Sequence, residues 1–286
     1  MYATLLDEGT YLGSIRTMYR VLARHQEVRE RRALRQHPTY ARPELLATRP
    51  NELWSWDITK LRGATRGTSL HLYVVIDVFS RYVVGWMVAQ TESQTLAREL
   101  FHGIYERESV KPGQVTVHAD RGAAMTSRGL ADLFVTLGVE KSHSRPSVSD
   151  DNPYSEAQFK TLKYRPDFPD RFGSVEDARA FCRKFFAWYN DAHHHTGLAL
   201  LTPADVHFGH VETRIAAREV TLHEAHARHP ERFVRGLPRA RRPPNKVWIN
   251  APKMSSAGTL DGPPFSAPEE PGGCGGTIPA QERGSQ

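Results

Sequence analysis

The sequence has little cysteine and no long apolar run. Its 286 residues include only two cysteines, Cys182 and Cys274, which excludes a four-cysteine zinc site and a fold built on disulfides. No stretch reaches the roughly 18 apolar residues that a membrane-spanning helix needs. The N-terminal residues carry acids where a secretory signal peptide would carry basic residues, and they lack an apolar run. These absences predict a cytosolic protein with no membrane partner.

Positive charge is in excess, and it is concentrated in two segments. The formal net charge is +6 and the isoelectric point is about 9.4. Residues 1–49 hold nine arginines against five acids, and residues 231–246 hold five arginines and Lys246 against one Glu. Such basic flanks suit a polyanionic partner, because each cation placed on a phosphate releases a condensed counterion. Charged flanks also serve solubility, so both interpretations stay open at this point.

Composition and hydrophobic pattern divide the chain into five predicted parts. These are a partial helix-turn-helix-like DNA-binding segment at 1–30, a basic linker at 31–50, a core at 51–210, a helical and basic extension at 211–250, and a disordered tail at 251–286. The tail is rich in Pro, Gly and Ser and has little apolar content, which is typical of disorder.

The N-terminal segment predicts two short helices, over 2–8 and 14–27. Ser14 is a good N-cap for the second helix. Arg16 and Arg20 share one face of that helix and are candidates for DNA contact. Two helices are too few to fold well alone, so either a preceding part is missing or the pair docks on the rest of the chain.

The core alternates strand and helix patterns after three consecutive strands. Runs rich in Trp, Tyr, Val and Ile, separated by turn signals, predict these strands. The predicted strands cover 53–61, 69–79, 82–91, 115–118 and 139–143, and the predicted helices cover 93–107, 127–137, 153–163, 175–193 and 211–228, with a short one after Thr202-Pro203. This order predicts an α/β fold, with a mixed five-stranded sheet and helices on both faces.

Three acids stand out by their positions in these elements. Asp57 lies within an aromatic strand, where it is either buried and in need of a counter-charge or turned to the surface. Asp120 follows the fourth strand, where ligands approach open α/β sheets, although an acid there also caps turns. Glu156 lies in the first turn of a helix, where the helix dipole alone favours an acid.

Taken together, the three acids indicate a phosphoryl-transfer site. Two metal ions in such a site need several carboxylate oxygens that converge from different elements. Lys160 and Lys163 follow Glu156 at i+4 and i+7, which suits phosphate binding beside a metal, and an i,i+4 ion pair also accounts for Lys160.

Spacing and local motifs carry a family resemblance. Sixty-three positions separate Asp57 from Asp120, and thirty-five residues lie between Asp120 and Glu156. This spacing resembles the D-D-E signature of retroviral integrases and related transposases. The motifs that resemble second-frame (OrfB-type) transposases of bacterial insertion sequences are Trp54–Thr59, Val74–Arg81, His118–Gly122 and Asp151–Lys163.

The resemblance implies a ribonuclease-H-like fold and a specific chemistry. Asp57, Asp120 and Glu156 would hold two Mg²⁺ or Mn²⁺ ions, element ends would be cleaved, and the freed 3′-OH would be transferred into target DNA. Arg121, together with the lysines and arginines named above, is a candidate for DNA contact.

The resemblance also implies partners and a location. These are DNA, as element ends and target, an upstream-frame product of the same element or a fusion with it, and further copies of the chain on DNA. The location would be the bacterial cytoplasm, with nucleoid association. Asp150 departs from the family, where Gly or Asn is common, and this extra acid could repel DNA or recruit a cation. The alternatives are a catalytically impaired or domesticated DNA-binding remnant, and a nuclease that cuts without joining.

Four other features suggest structural roles first. Consecutive residues His193–His195 point in different directions and rarely chelate one ion, whereas a helix C-terminus favours charged histidine. His118 either orients a reacting group or is structural. Phe181, Phe185, Trp188 and Tyr189 are interpreted as core. Arg239, Arg241 and Arg242, set among prolines, predict a flexible basic arm.

Overall fold

The computed structural model describes residues 2–25, 42–122, 124–145 and 151–252. Eight helices and seven strands are found within these ranges. The helices are α1 Tyr2–Asp7, α2 Ile15–Arg24, α3 Gln94–Arg107, α4 Arg128–Leu137, α5 Pro153–Lys163, α6 Val175–Asp191, α7 Pro203–His207 and α8 Val211–Arg228. The strands are β1 Leu45–Ala47, β2 Leu53–Arg62, β3 Ser69–Asp77, β4 Val83–Ala89, β5 Thr116–Ala119, β6 Glu140–His143 and β7 Val247–Ile249.

Five of the strands form one mixed sheet in the order β4-β3-β2-β5-β6. The pairs β2–β3 and β3–β4 are antiparallel, while β2–β5 and β5–β6 are parallel. Between β3 and β4 the chain reverses tightly, since the backbone N–H and the hydroxyl of Ser80 both donate to Asp77 Oδ1 at 2.7 and 2.6 Å. Arg81 follows with φ of 63°.

Helices cover both faces of this sheet. On one face, α3 and α4 pack on Trp54, Trp56 and their neighbours, and on the other face α5 and α6 pack on a second apolar cluster that includes Leu72 and Val74. The observed sheet and layers confirm the predicted fold class. The aromatic side chains of α6 belong to this second cluster, which confirms that they are core.

Element boundaries agree with the sequence pattern to within a few residues. Helices α5 and α8 have the predicted limits, and Gly138 ends α4 in the left-handed conformation with φ of 64°. Helix α6 was predicted to reach His193 but ends at Asp191.

The strands β1 and β7 were not predicted. They pair with each other antiparallel, with Leu45 opposite Ile249 and Ala47 opposite Val247. Ala47, Val247 and Ile249 pack on Leu53 and Val78, beside the start of β2. Part of the predicted linker is therefore a strand, because its apolar residues find a partner about two hundred positions away. The predicted boundaries of the five parts otherwise stay a prediction.

The first two helices are present but shorter than predicted. Ser14 caps α2 by accepting a bond from the Thr17 N–H at 3.2 Å. Neither helix contains a buried residue. Most of the predicted linker, Asp150 and the predicted disordered tail beyond residue 252 lie outside the described residues.

Side chains cover the outer edge of the sheet at β4. Asn190 exchanges two hydrogen bonds with the backbone of Val83, at 2.9 and 3.1 Å. Arg107 donates to the Val84 carbonyl, and Arg179 donates twice to the Val88 carbonyl at 3.1 and 3.2 Å. Backbone groups near both ends of this edge strand are therefore satisfied by side chains from α3 and α6.

None of the helices in the described ranges combines the length and the apolar character that a membrane span requires.

Candidate active site

Parallel pairing of β2 with β5 places Asp57 beside Asp120. Trp56 and Ala119 are register partners, and the two acids are the next residue on each chain. Both side chains are half-buried. Because side chains alternate along a strand, Asp57 lies on the face opposite Trp56, which is the face that α5 and α6 cover.

Helix α5 brings Glu156 to the same face. Ser155 Oγ lies 2.5 Å from Ser55 Oγ of β2, and the Asn152 amide donates to the Trp56 carbonyl at 3.3 Å. Glu156 follows Ser155 in the first turn and is half-buried. The buried polar contacts between α5 and β2 thus set where the third acid lies.

The three acids influence one another electrostatically. Burial raises the pKa of Asp57 to about 7, the negative charges of Asp120 and Glu156 add to this rise, and the Ile58 N–H and the Lys163 cation oppose it. A carboxyl that ionises with difficulty beside two others is an arrangement that a bound cation would stabilise.

The donor chemistry of this set fits a hard divalent cation, since carboxylate oxygens are the ligands that Mg²⁺ and Mn²⁺ favour. Among the residues that the structure describes, however, no group of three or more His, Cys, Asp or Glu side chains is arranged so that it could hold an ion.

Ser144 and His118 surround Asp120, and sequence reasoning had not given Ser144 a role. The Ser144 hydroxyl donates to Asp120 Oδ1 at 2.6 Å. The fully buried His118 donates from Nε2 to the Asp151 carbonyl at 2.9 Å and accepts the Ser142 hydroxyl at Nδ1, 3.1 Å away. These bonds support the structural interpretation of His118, which joins β5 to the chain just ahead of α5.

The candidate DNA-contacting residues lie at different distances from the acids. Lys163 Nζ donates to Thr59 Oγ1 at 2.6 Å, on the strand that carries Asp57. Lys160 is exposed one turn earlier, and Arg121, next to Asp120, donates to the Ser144 carbonyl at 3.0 Å. By contrast, Arg16 and Arg20 are exposed on α2, and no contact of either with the acids is recorded in the described part of the chain.

Asp151 of the family-like motif is buried in a polar network. It accepts three bonds from Arg145, at 2.9, 3.0 and 3.0 Å, and one from Asn250 at 2.8 Å. Hydrogen bonding to Arg145 is the largest cause that lowers the pKa of Asp151 to about 2. This motif acid is thus paired and structural.

For two of the three histidines after α6, burial opposes the charge that was expected. His193 and His195 lie beyond the helix end, and burial lowers the pKa of both, that of His195 to about 4. His193 stacks on Tyr189 with ring centroids 5.5 Å apart.

In the basic arm, Arg242 pairs with Glu212 at 2.5 and 2.9 Å.

Two integrase core domain families match overlapping parts of the chain. One matches residues 47–149 and the other residues 137–203, so that Asp57, Asp120 and Glu156 all lie within the matched region.

Curated relatives match the same part of the chain. The transposase for insertion sequence element IS904 of Lactococcus lactis is 32% identical over 177 residues, which cover 60% of this chain and 69% of the relative. The transposase InsF for insertion sequence IS3A of Escherichia coli is 31% identical over 161 residues, which cover 56% of this chain and 55% of the relative. The chain therefore spans between about half and two thirds of the length of these relatives.

Solved structures with a similar fold are more distant. A chain of a simian T-cell lymphotropic virus intasome, solved in complex with the PP2A regulatory subunit B56 gamma, gives a TM-score of 0.45 at 19% identity and covers 60% of each chain. The catalytic core domain of BIV integrase gives 0.42 at 19% identity and covers 57% of this chain and 98% of the other. The family assignment depends on the sequence matches. They show that this chain belongs to the insertion-sequence transposases that have an integrase core domain.

Proposed function

We propose that this chain is a D-D-E transposase that cuts DNA at the ends of its element and joins the freed 3′ ends to target DNA. The observation that supports the proposal most directly is the shared placement of Asp57, Asp120 and Glu156. Three elements bring these carboxylates to one face of the sheet, and burial, with the charges of the other two, raises the pKa of Asp57 to about 7.

The three carboxylates would hold two Mg²⁺ or Mn²⁺ ions. Bound ions would supply activation of the attacking oxygen and stabilisation of the leaving oxygen. The described side chains do not form a group arranged to coordinate an ion. We therefore expect the three carboxylates to move closer together when cation and DNA bind.

Other side chains of the chain would position the DNA. Lys163 lies beside β2 and partly neutralises Asp57, and with Lys160 it presents ammonium groups along the exposed side of α5. Such groups position phosphates without reading sequence. Ser144 would keep Asp120 in one rotamer through its hydroxyl bond.

The proposed partners follow from the same assignment. They are element-end DNA, target DNA and further copies of this chain on DNA, with the upstream-frame product as an additional candidate. The relatives come from Lactococcus lactis and Escherichia coli, and a cytoplasmic, nucleoid-associated location is the corresponding proposal for this chain.

Asp57→Asn, Asp120→Asn and Glu156→Gln test the function. Duplexes with the terminal sequences of the encoding element are incubated with plasmid target and Mg²⁺ or Mn²⁺, and joined products are counted by gel. Each variant should lose joining by a factor of at least about 10³, because electrostatic stabilisation of the transferred phosphoryl group is lost, while mobility shift shows unchanged DNA binding.

Asp132→Asn and Glu99→Gln are matched controls, because both residues are exposed on helices on the other face of the sheet. They should join DNA as the parent does. Full joining by any triad variant would refute the assignment. Binding without any cutting by the parent would favour the impaired remnant, and cutting without joining would favour a nuclease.

A further inference from the structure

The C-terminal strand β7 contacts the start of the helix that carries Glu156. The Tyr154 hydroxyl donates to the Trp248 carbonyl at 2.8 Å. The Asn250 amide donates to Asp151 Oδ1 at 2.8 Å. Two residues within or just before the first turn of α5 are therefore each tied to a segment nearly one hundred positions away.

The aromatic ring of Tyr154 has a second contact. The guanidinium carbon of Arg81, in the β3–β4 turn, lies 4.2 Å from the ring centroid. Arg81 is buried, and a desolvated cation over an aromatic face is a favourable contact. The ring and the hydroxyl of Tyr154 are thus held from two directions, two residues ahead of Glu156.

Asp151 extends the connection to the other acid. It holds Arg145 by side-chain and backbone bonds, and Arg145 directly follows Ser144, whose hydroxyl donates to Asp120. A shift of Asp151 would therefore displace the residues that contact Asp120 as well as the start of the helix that carries Glu156.

The first turn of α5 needs such outside support. Its N-cap Asn152 makes no side-chain capping bond, because the Asn152 side chain is used in contacts with Ser55 and the Trp56 carbonyl. A helix start without its side-chain cap leaves backbone donors unsatisfied and is prone to fray.

We propose that β7 and Asn250 form a brace that positions Glu156, with Tyr154, Asp151 and Arg81 as the groups it acts through. The brace consists of residues Val247–Asn250. It touches no reacting group itself, so Tyr154 and Asn250 are positioning residues. The inference rests on the proposed function of Glu156 as a metal ligand.

Two variants test the brace. Tyr154→Phe removes the hydroxyl, with its bond to Trp248 and its side-chain interaction with Arg81, and retains the ring that Arg81 covers. Asn250→Gly removes the bonds to Asp151 and to Arg42 and tolerates the φ of 58° found at this position. Asn245→Ala is the matched control, because Asn245 is exposed in the same segment.

The first readout is cation binding by the full chain, measured as the Mn²⁺ concentration that half-saturates the electron paramagnetic resonance signal change. Each brace variant should raise it about tenfold, the double variant should exceed either, and Asn245→Ala should match the parent. The second readout is the rate of DNA joining at saturating Mn²⁺, which should fall about tenfold while the Kd for DNA is unchanged, since small misplacements of reacting groups are costly.

The outcomes separate the brace from the function. If Asp57→Asn abolishes Mn²⁺ binding and joining while both brace variants match the parent, the brace is wrong and the function stands. If Asp57→Asn joins DNA normally, the proposed function is wrong, and the brace, which rests on it, is wrong too. A loss in the brace variants that only follows a lowered Tm, and disappears at 10 °C, would also overturn the positioning role.

Discussion

The two faces of β2 differ although they belong to the same ten residues. Trp54 and Trp56 point to one side and are at most 1% exposed, and Trp56 meets Phe101 edge to face at 5.0 Å. Ser55 and Asp57 point to the other side, where hydrogen bonds and charges replace apolar contacts. One strand thus serves as core on one side and as the base of the site on the other.

The comparison teaches where stability and function reside. The tryptophan face can be packed closely because nothing there has to change during a reaction. The acidic face keeps a carboxyl group that ionises with difficulty, which costs stability in the absence of a cation and is typical of functional sites. Predictions that alter one face at a time can separate the two contributions.

The largest expected effect is on the tryptophan face. Trp56→Ala should lower the free energy of unfolding by about 3–5 kcal/mol, because a large buried aromatic leaves a cavity. Chemical denaturation followed by circular dichroism measures it. Trp56→Phe is the control and should cost less, since the buried indole N–H makes no hydrogen bond. If Trp56→Phe and Trp56→Ala lowered the free energy of unfolding equally, the packing argument would be contradicted.

The next effect concerns the contact of β4 with α3. A Cβ added at Gly85 would overlap the Ile104 side chain, so Gly85→Ala should destabilise by about 1–3 kcal/mol through overpacking. Gly103→Ala is the comparison, because a Cβ there meets nothing within 4 Å. The measurement is the urea midpoint at constant m-value. Gly85→Ala combined with Ile104→Val should recover part of the loss.

On the acidic face, a substitution should raise the free energy of unfolding instead of lowering it. Asp57→Asn should stabilise the metal-free protein at pH 8 by about 2 kcal/mol, because one pKa unit corresponds to about 1.4 kcal/mol and surrounding water relieves part of the cost. The unfolded chain loses this proton near pH 4 and the folded chain near pH 7. The gain should therefore be absent below pH 4, grow between pH 4 and 7, and stay constant above.

Thermal unfolding of both proteins in EDTA at pH 4, 6 and 8 checks that prediction. Asp132→Asn, which alters an exposed acid on α4, is the matched control. Destabilisation by Asp57→Asn at pH 8 would mean that the ionised carboxylate is stabilised by its surroundings, against the interpretation of this face.

The last effect concerns Asp151, whose pKa is shifted the opposite way. Its folded pKa is about 2, so its ion pair with Arg145 contributes stability above pH 4 and loses it as the pH falls towards 2. Asp151→Asn should be less stable than the parent at pH 6, and the difference should shrink at pH 3. Urea unfolding at both values measures it. A difference that grows at pH 3 would contradict the ion pair.

The sequence could predict most of the sheet and the three acids. Strand β2 alternates apolar and polar residues, and the acids fall mid-strand, after a strand and in a first helical turn. Local pattern marked these positions, whereas their joint spacing and the family resemblance were needed to assign them to one site. Local pattern was enough to predict the limits of α5 and α8, because proline and apolar spacing mark them.

Pairings over long sequence distances could not be predicted in this way. Strands β1 and β7 have three residues each and lie in proline-rich segments, so they depend on contacts with distant parts of the chain, namely each other and the apolar cluster at Leu53 and Val78. Ser144 and Asn250 are ordinary loop residues until tertiary structure brings them to Asp120 and Asp151. The burial that lowers the pKa of His193 and His195, against the expected charge, also depends on tertiary contacts.

The covered edge of β4 has a consequence for assembly. An unpaired edge strand is the usual place where a second chain extends a sheet. Here Asn190, Arg107 and Arg179 already use backbone groups at both ends of that strand, so an arriving strand would first have to displace them. In the proposed assembly of several copies on DNA, one sheet would therefore not continue across two molecules at β4.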